Sequence, residues 1–186
     1  MPQETREERI RLAEENSDSE VAPRSECCGS NPKMNWSVVV LTYETEEQNN
    51  ILVQQRSDDK DRKPGYHELT AGHVVDSDRK LEDAAVREYA EELHDTYPEQ
   101  IGLSTDDFKY LGTLEKESED NPEMLAVYTT TRDSLGEAAD YAPGLSNEVE
   151  SVWFEPVNRV LERKDEARPY EFTDSAKQVL EMVYEQ

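Results

Sequence analysis

The stretch LEDAAVREYAEELH (residues 81–94) predicts a helix whose charges sit where an ordinary surface helix would not place them. Projected at about 100° per residue, Val86, Tyr89 and Leu93 share one arc, with Leu81 and Ala85 at its margin. Asp83, Arg87 and His94 share the opposite, solvent arc. Glu88, Glu91 and Glu92 belong to neither centre and overlap the azimuth of Leu81, Ala84 and Ala85. Like charges three and four residues apart destabilise a helix by about 0.2–0.5 kcal/mol per pair, and unpaired charge at the edge of a core costs more. Two readings account for this. One is an acidic helix edge neutralised by Arg or Lys from elsewhere. The other is a site for a hard divalent cation, since Mg²⁺ is usually held by a few carboxylates together with substrate phosphates.

Composition narrows the partners. With 44 Asp and Glu against 20 Lys and Arg, the 186-residue chain carries a formal charge of −24. That argues against nucleic-acid backbones and anionic membranes as partners. A phosphate ligand must then be met by a local basic pocket or by metal ions. Acid spread along the whole chain suits a protein adapted to a high-salt cytoplasm, where screening weakens self-repulsion, or an ordinary acidic protein. No window approaches the roughly 18 apolar residues of a membrane span, and the N-terminus lacks the apolar core of a secretory signal, so the expected location is cytoplasmic. Cys27 and Cys28 are adjacent, which fits no zinc spacing and no disulfide framework. They read as two thiols in a polar segment, with a redox role as the alternative.

The length fits one domain with some chain to spare. Residues 3–15 form a charged helix candidate and residues 16–34 have linker composition, so residues 1–34 are expected to be a charged, flexible extension and residues 35–186 the domain. Within the domain, 36–43 and 51–56 read as paired strands across a polar turn, and 66–75 as a short extended piece. Residues 79–95 are helical, 108–115 and 124–131 are two strands joined by an acidic loop, and 133–147 is loop. Residues 149–156 form a further strand, a short helix follows with Pro156 at its first turn, and 173–186 close the chain as an amphipathic helix capped by Thr173 or Asp174. This mixture predicts an α/β sandwich with a mixed sheet.

Extended backwards, the helix belongs to a longer pattern: Gly72, five residues, Asp78, eight residues, then Arg87-Glu88-Tyr89-Ala90-Glu91-Glu92. It resembles the Nudix signature, Gly-x5-Glu-x7-Arg-Glu-aliphatic-x-Glu-Glu-x-Gly, which forms a loop–helix–loop metal site. The chain departs from it in Asp78 for Glu, one extra spacer residue, Tyr89 at the aliphatic position and His94 for the last Gly. The resemblance implies an α/β/α Nudix sandwich, Mg²⁺ (or Mn²⁺) held by Glu88, Glu91 and Glu92, and Arg87 bracing the loop through Asp78. It runs over residues 36–186. The run QQRSDDK…PGYHELTAGHV is similar to the branch related to type 1 isopentenyl-diphosphate isomerase, and by that similarity Arg56 and Lys60 would receive the substrate diphosphate. The catalytic cysteine of that isomerase lies just before a Gly-His pair, and here the position is Ala71, before Gly72 and His73. By the same similarity His73 matches a metal-ligand histidine, and Glu123 lies where a catalytic Glu stands.

Three functions stay open at this point. The first is a Mg²⁺-dependent hydrolase cleaving the diphosphate bond of a nucleoside diphosphate derivative or related organic diphosphate, with Glu88, Glu123 or Glu148 accepting the proton of water. The second is a Nudix-fold protein that binds a nucleotide without turnover. The third is an isomerase, which Ala71 opposes. The expected partner is a small-molecule diphosphate, and the resemblance leaves room for a homodimer.

Overall fold

Strand β3 (Asn35–Tyr43, NWSVVVLTY) is buried along nearly its whole length, and a strand of that kind must be covered on both faces. The computed structural model describes residues 7–13, 20–28, 30–116, 118–136, 145–167 and 170–185. Successive β3 side chains point to opposite faces. Val38 and Val40 pack with Ala85, Val86, Tyr89 and Leu93 of helix α2 (Leu81–His94). Val39 and Leu41 pack with Val160, Val179 and Leu180 of two C-terminal helices, α4 (Val157–Arg163) and α5 (Asp174–Tyr184). The fold is an α/β sandwich, one helix on one face of the sheet and two on the other. Thr173 caps α5 by accepting from the Ala176 N–H, and Pro156 is the N-cap of α4 rather than a residue of its first turn.

The sheet is mixed. β3 runs parallel to β8 (Glu123–Thr131) over nine paired positions and antiparallel to β6 (Thr70–His73). β7 (Lys109–Lys116) lies antiparallel to β8. β4 (Asn50–Arg56) meets β3 only at Tyr43 and Ile51, and pairs instead along its length with β9 (Val149–Pro156) and at its end with β5 (His67–Glu68). The expected pairing of 36–43 with 51–56 is thus present, antiparallel, but confined to one position. The same side of β3 is already taken by β6 from Ser37 to Val40, so β4 is left to another partner. The expected loop over 133–147 opens within a single helical turn, α3 (Arg132–Leu135), capped by Thr131; residues 137–144 lie outside the described ones.

The N-terminal segment departs most from expectation. In place of a helix over 3–15 and a structureless 16–34, β1 (Arg9–Arg11) pairs antiparallel with β2 (Val21–Pro23), and a short helix α1 (Arg24–Cys27) follows. Residues 1–6 and 14–19 lie outside the described ones. Ile10 and Leu12 stand two apart between charged residues, which is strand periodicity. Both are buried, with Ala22 and Cys27, in a small core of their own. This segment is docked rather than loose: the Arg11 N–H donates to the Val74 carbonyl and the Ala13 N–H to that of Met34, each near 3 Å. Burial pushes the Cys27 thiol up to about 11, and both cysteines are free. Among the described residues no helix is long and apolar enough to cross a membrane.

Truncating Ile10 to Ala should therefore destabilise the protein by about 2–4 kcal/mol, the range for a buried aliphatic side chain. Chemical denaturation of the variant checks this; a change under about 0.5 kcal/mol, typical of a surface site, would mean the segment does not dock.

Candidate active site

The carboxylates of α2 reach the backbone of β6. Leu81, Ala84 and Ala85 face the core, so the residues one turn on bring Glu88 and Glu92 over Gly72 and Ala71. The Glu88 carboxyl rests directly on Gly72, where an added Cβ would land inside the carboxyl group itself. Glu92 accepts from the Ala71 N–H at 3.2 Å and from Gln54 Nε2 at 2.9 Å. The same Gln54 nitrogen donates to Glu68 at 3.2 Å, so one buried amide joins two buried acids. Glu91 alone of the three helix glutamates is exposed.

Arg87, which the helical projection placed on the solvent arc, turns inward. Its Nε and NH2 donate to the two Asp78 oxygens at 3.0 and 2.9 Å, and NH2 also donates to the His73 carbonyl at 2.8 Å. Its NH1 donates to Glu88 and Glu91, both at 2.8 Å. Burial alone would lower this guanidinium, but Asp78 and the glutamates hold it well above its ordinary range. Asp78 also accepts from the Val75 N–H at 2.9 Å. The loop's extra residue is thus absorbed with the loop tied to the helix.

The other expected residues line the same cleft, of about 970 Å³. Arg56 is bound through NH1 to both Glu68 oxygens at 2.8 Å, and Lys60 is paired with Glu148. Glu123 is buried; it pairs with Lys116 and accepts from Ser37 Oγ at 2.7 Å. His73 Nε2 stands 3.7 Å from Glu123 Oε1 and is buried with no hydrogen-bond partner among the described residues. Four residues were missed in the sequence: Gln54, Glu68, Ser37 and Lys116. Glu68 carried one visible signal, an acid inside an otherwise apolar extended piece. The others are ordinary residues in ordinary strands.

Electrostatics mark the cluster. Burial, aided by the charge of Glu91 and opposed by Arg87, pushes the Glu88 carboxyl up to about 7. Burial and the neighbouring acids Glu68 and Glu88 raise Glu92 well above the carboxylate range, and burial raises Glu68 against the pull of Arg56. Burial would also raise Glu123, but the Lys116 ammonium holds it below the usual range. Burial lowers His73, leaving a neutral imidazole. Among the described residues no three acid, histidine or cysteine side chains converge as a closed metal cage, and Arg87 occupies two of the glutamates. The donor chemistry nevertheless fits a hard divalent cation: oxygen ligands only, buried, and mutually repelling once ionised.

Two outcomes are expected. Gly72→Ala should displace Glu88, with a lowered melting temperature and weakened Mg²⁺ binding by calorimetry; an unchanged protein would show the cradle to be loose. The second concerns pH, in EDTA. Glu88 has a folded pKa near 7 against an ordinary 4.5, so the folded state holds the extra proton between those values. The stabilisation is whole below pH 4.5 and is lost as pH rises to 7, amounting to roughly 3 kcal/mol. Melting curves of the wild type and Glu88→Gln across this window should diverge by that slope; parallel curves would contradict it.

A family model of the NUDIX domain matches residues 33–176. DR0079 from Deinococcus radiodurans superposes with a TM-score of 0.65 at 20% identity, over 95% of this chain and 99% of that one. A NUDIX hydrolase from Alicyclobacillus acidocaldarius gives 0.58 at 14% identity, over 81% and 91%. The NUDIX domain of Shewanella oneidensis NrtR, solved with ADP ribose, gives 0.53 at 19%, over 81% and 86%. Comparison with curated proteins finds no match. The family match spans most of the chain, and the three layers and mixed sheet agree with it: the chain belongs to the Nudix family.

Proposed function

We propose that this chain is a Mg²⁺-dependent hydrolase, with Mn²⁺ as a substitute, that cleaves the diphosphate bond of a nucleoside diphosphate derivative or related organic diphosphate in the cytoplasm. The observation that carries this is the set of buried carboxylates, Glu88, Glu92 and Glu68, facing basic residues across one cleft. Glu88, Glu91 and Glu92, with Glu68 beside them, would hold the cation, which when bound neutralises charge on the diphosphate and acidifies water. Arg56 and Lys60 bind the phosphates, Arg56 from a position fixed by Glu68 and Lys60 by exchanging its partner Glu148. Arg87 holds Glu88 and Glu91 apart from each other's charge and keeps the loop closed through Asp78. Glu123, its carboxylate engaged by Lys116 and Ser37, is a poor proton acceptor, which leaves Glu88 or Glu148 to take the proton of the attacking water. His73 and Gly72 form the floor between them. The ADP ribose bound by the NrtR domain supports a ligand of this class.

A second reading has one observation in its favour. Arg87 pairs with both Glu88 and Glu91, which gives these acids a structural counter-charge without any cation, as a Nudix-fold protein that binds a nucleotide without turnover would need. Isomerisation finds no support, because position 71 contributes only a backbone N–H, donated to Glu92, and no thiol.

The deciding experiment incubates the protein with Mg²⁺ and a panel of dinucleotides, nucleotide sugars, nucleoside triphosphates and isoprenoid diphosphates, in low and in molar KCl. Cleavage of one class is expected, falling roughly 10²-fold or more in Glu91→Gln/Glu92→Gln as the transition-state charge loses its counterion. Tight nucleotide binding with no turnover in either salt would leave the binding protein instead.

A further inference from the structure

The family match begins at residue 33, yet the cleft does not end there. Glu8, Arg24, Ser25 and Cys28 line it too. The module they belong to, β1, β2 and α1, has its own small core and is tied to Val74 and Val75, the residues that follow His73 at the end of β6. Its charges reach the site: Glu8 acts on Glu88, and both Arg24 and Glu8 act on His73. At the far end of α1, one helical turn from Arg24, Cys28 Sγ contacts Arg62 NH1 at 3.2 Å and Asn121 Oδ1 at 3.5 Å. The module thereby places Arg24 on the wall of the same cleft that Arg62, a second cation, also lines.

The partners of these two arginines differ from those of Arg56. Arg56 is fixed in a buried pair, with side chains only 16% and 7% exposed. Arg24 holds Glu8 at 3.1 Å with both side chains about half exposed, and Arg62 holds Asp120 at 2.9 Å in a setting as open. Exposed ion pairs of this kind contribute little, so an anion entering the cleft can displace Glu8 and Asp120 at small cost. Guanidinium groups are also suited to gripping phosphate or carboxylate through paired hydrogen bonds.

We propose that the N-terminal module is the specificity wall of the cleft, where Arg24 and Arg62 bind a second anionic group at the far end of the diphosphate substrate. This rests on the hydrolase reading for the identity of the near end. The substrate class it names is an organic diphosphate carrying a further phosphate or carboxylate beyond the bond to be cut.

The test uses the full-length protein with Mg²⁺ and a length series of inorganic probes, pyrophosphate, tripolyphosphate and tetrapolyphosphate, in isothermal calorimetry. The longer anions should bind about tenfold more tightly than pyrophosphate, the increment expected for charge-assisted hydrogen bonds to one guanidinium. Arg24→Gln and Arg62→Gln should each remove most of that increment while leaving pyrophosphate affinity and melting temperature nearly unchanged. Arg24→Lys should keep part of it. Arg9→Gln removes the same charge from an exposed position of β1 that does not line the cleft, and should keep all of it. An increment that survives in the two Gln variants, or is lost equally in Arg9→Gln, overturns the proposal, as does a wild type indifferent to length. The length preference without turnover of any diphosphate would remove the hydrolase and keep the wall. Turnover indifferent to Arg24 would do the reverse, and failure to bind any of the three probes would count against both.

Discussion

Arg87 is the contact on which the site depends. One guanidinium joins the loop through Asp78, the strand through the His73 carbonyl, and the helix through Glu88 and Glu91. Without it, two carboxylates would face each other in a partly buried setting with nothing between them, which is the costly arrangement. With it, the acidic helix edge is both neutralised and held in register with Gly72. The two explanations of the three glutamates, a structural counter-charge and a cation site, are therefore not exclusive in this chain. Arg87 provides the first and, by keeping the carboxylates aligned over β6, prepares the second.

Gly72 shows the same economy from the backbone side. A carboxyl group lies where any side chain would stand, so the strand approaches the helix at a distance only glycine permits. Gln54 then spans the remaining gap between Glu68 and Glu92. The heart of the site is thus built from three strands, β4, β5 and β6, and a helix, with Arg56 at the end of β4 and Lys60 and Arg62 on the loop that follows.

What could be read from the sequence was what is local. The helix was placed within two residues of its bounds, and the glutamates, Gly72 and the Arg87–Asp78 pairing all sit in one contiguous stretch whose spacing can be counted. Strands β7, β8 and β9 were visible because apolar residues cluster between polar turns. The misses are contacts between distant segments. Nothing in Gln54, Glu68, Ser37 or Lys116 announces that each meets a particular acid, because that depends on strand register. The N-terminal segment was misread for a different reason. Its alternating Ile10 and Leu12 form too short a run to outweigh the surrounding charge, and the partners they bridge to, Val75 and Asn35, lie outside that run.

The parallel pairing of β3 with β8 has a consequence for how this molecule comes together. Each residue of β3 faces the residue 88 positions later, from Asn35 with Glu123 to Tyr43 with Thr131. Gln54, Glu68, Gly72 and the whole of α2 lie inside that excursion. Pairings of such long range form slowly, because the entropy of closing the loop is spent before any contact repays it. The contacts that build the site span much less of the chain, from Gly72 to Glu88 and from Gln54 to Glu92, so closing them costs less entropy than closing the sheet that encloses them.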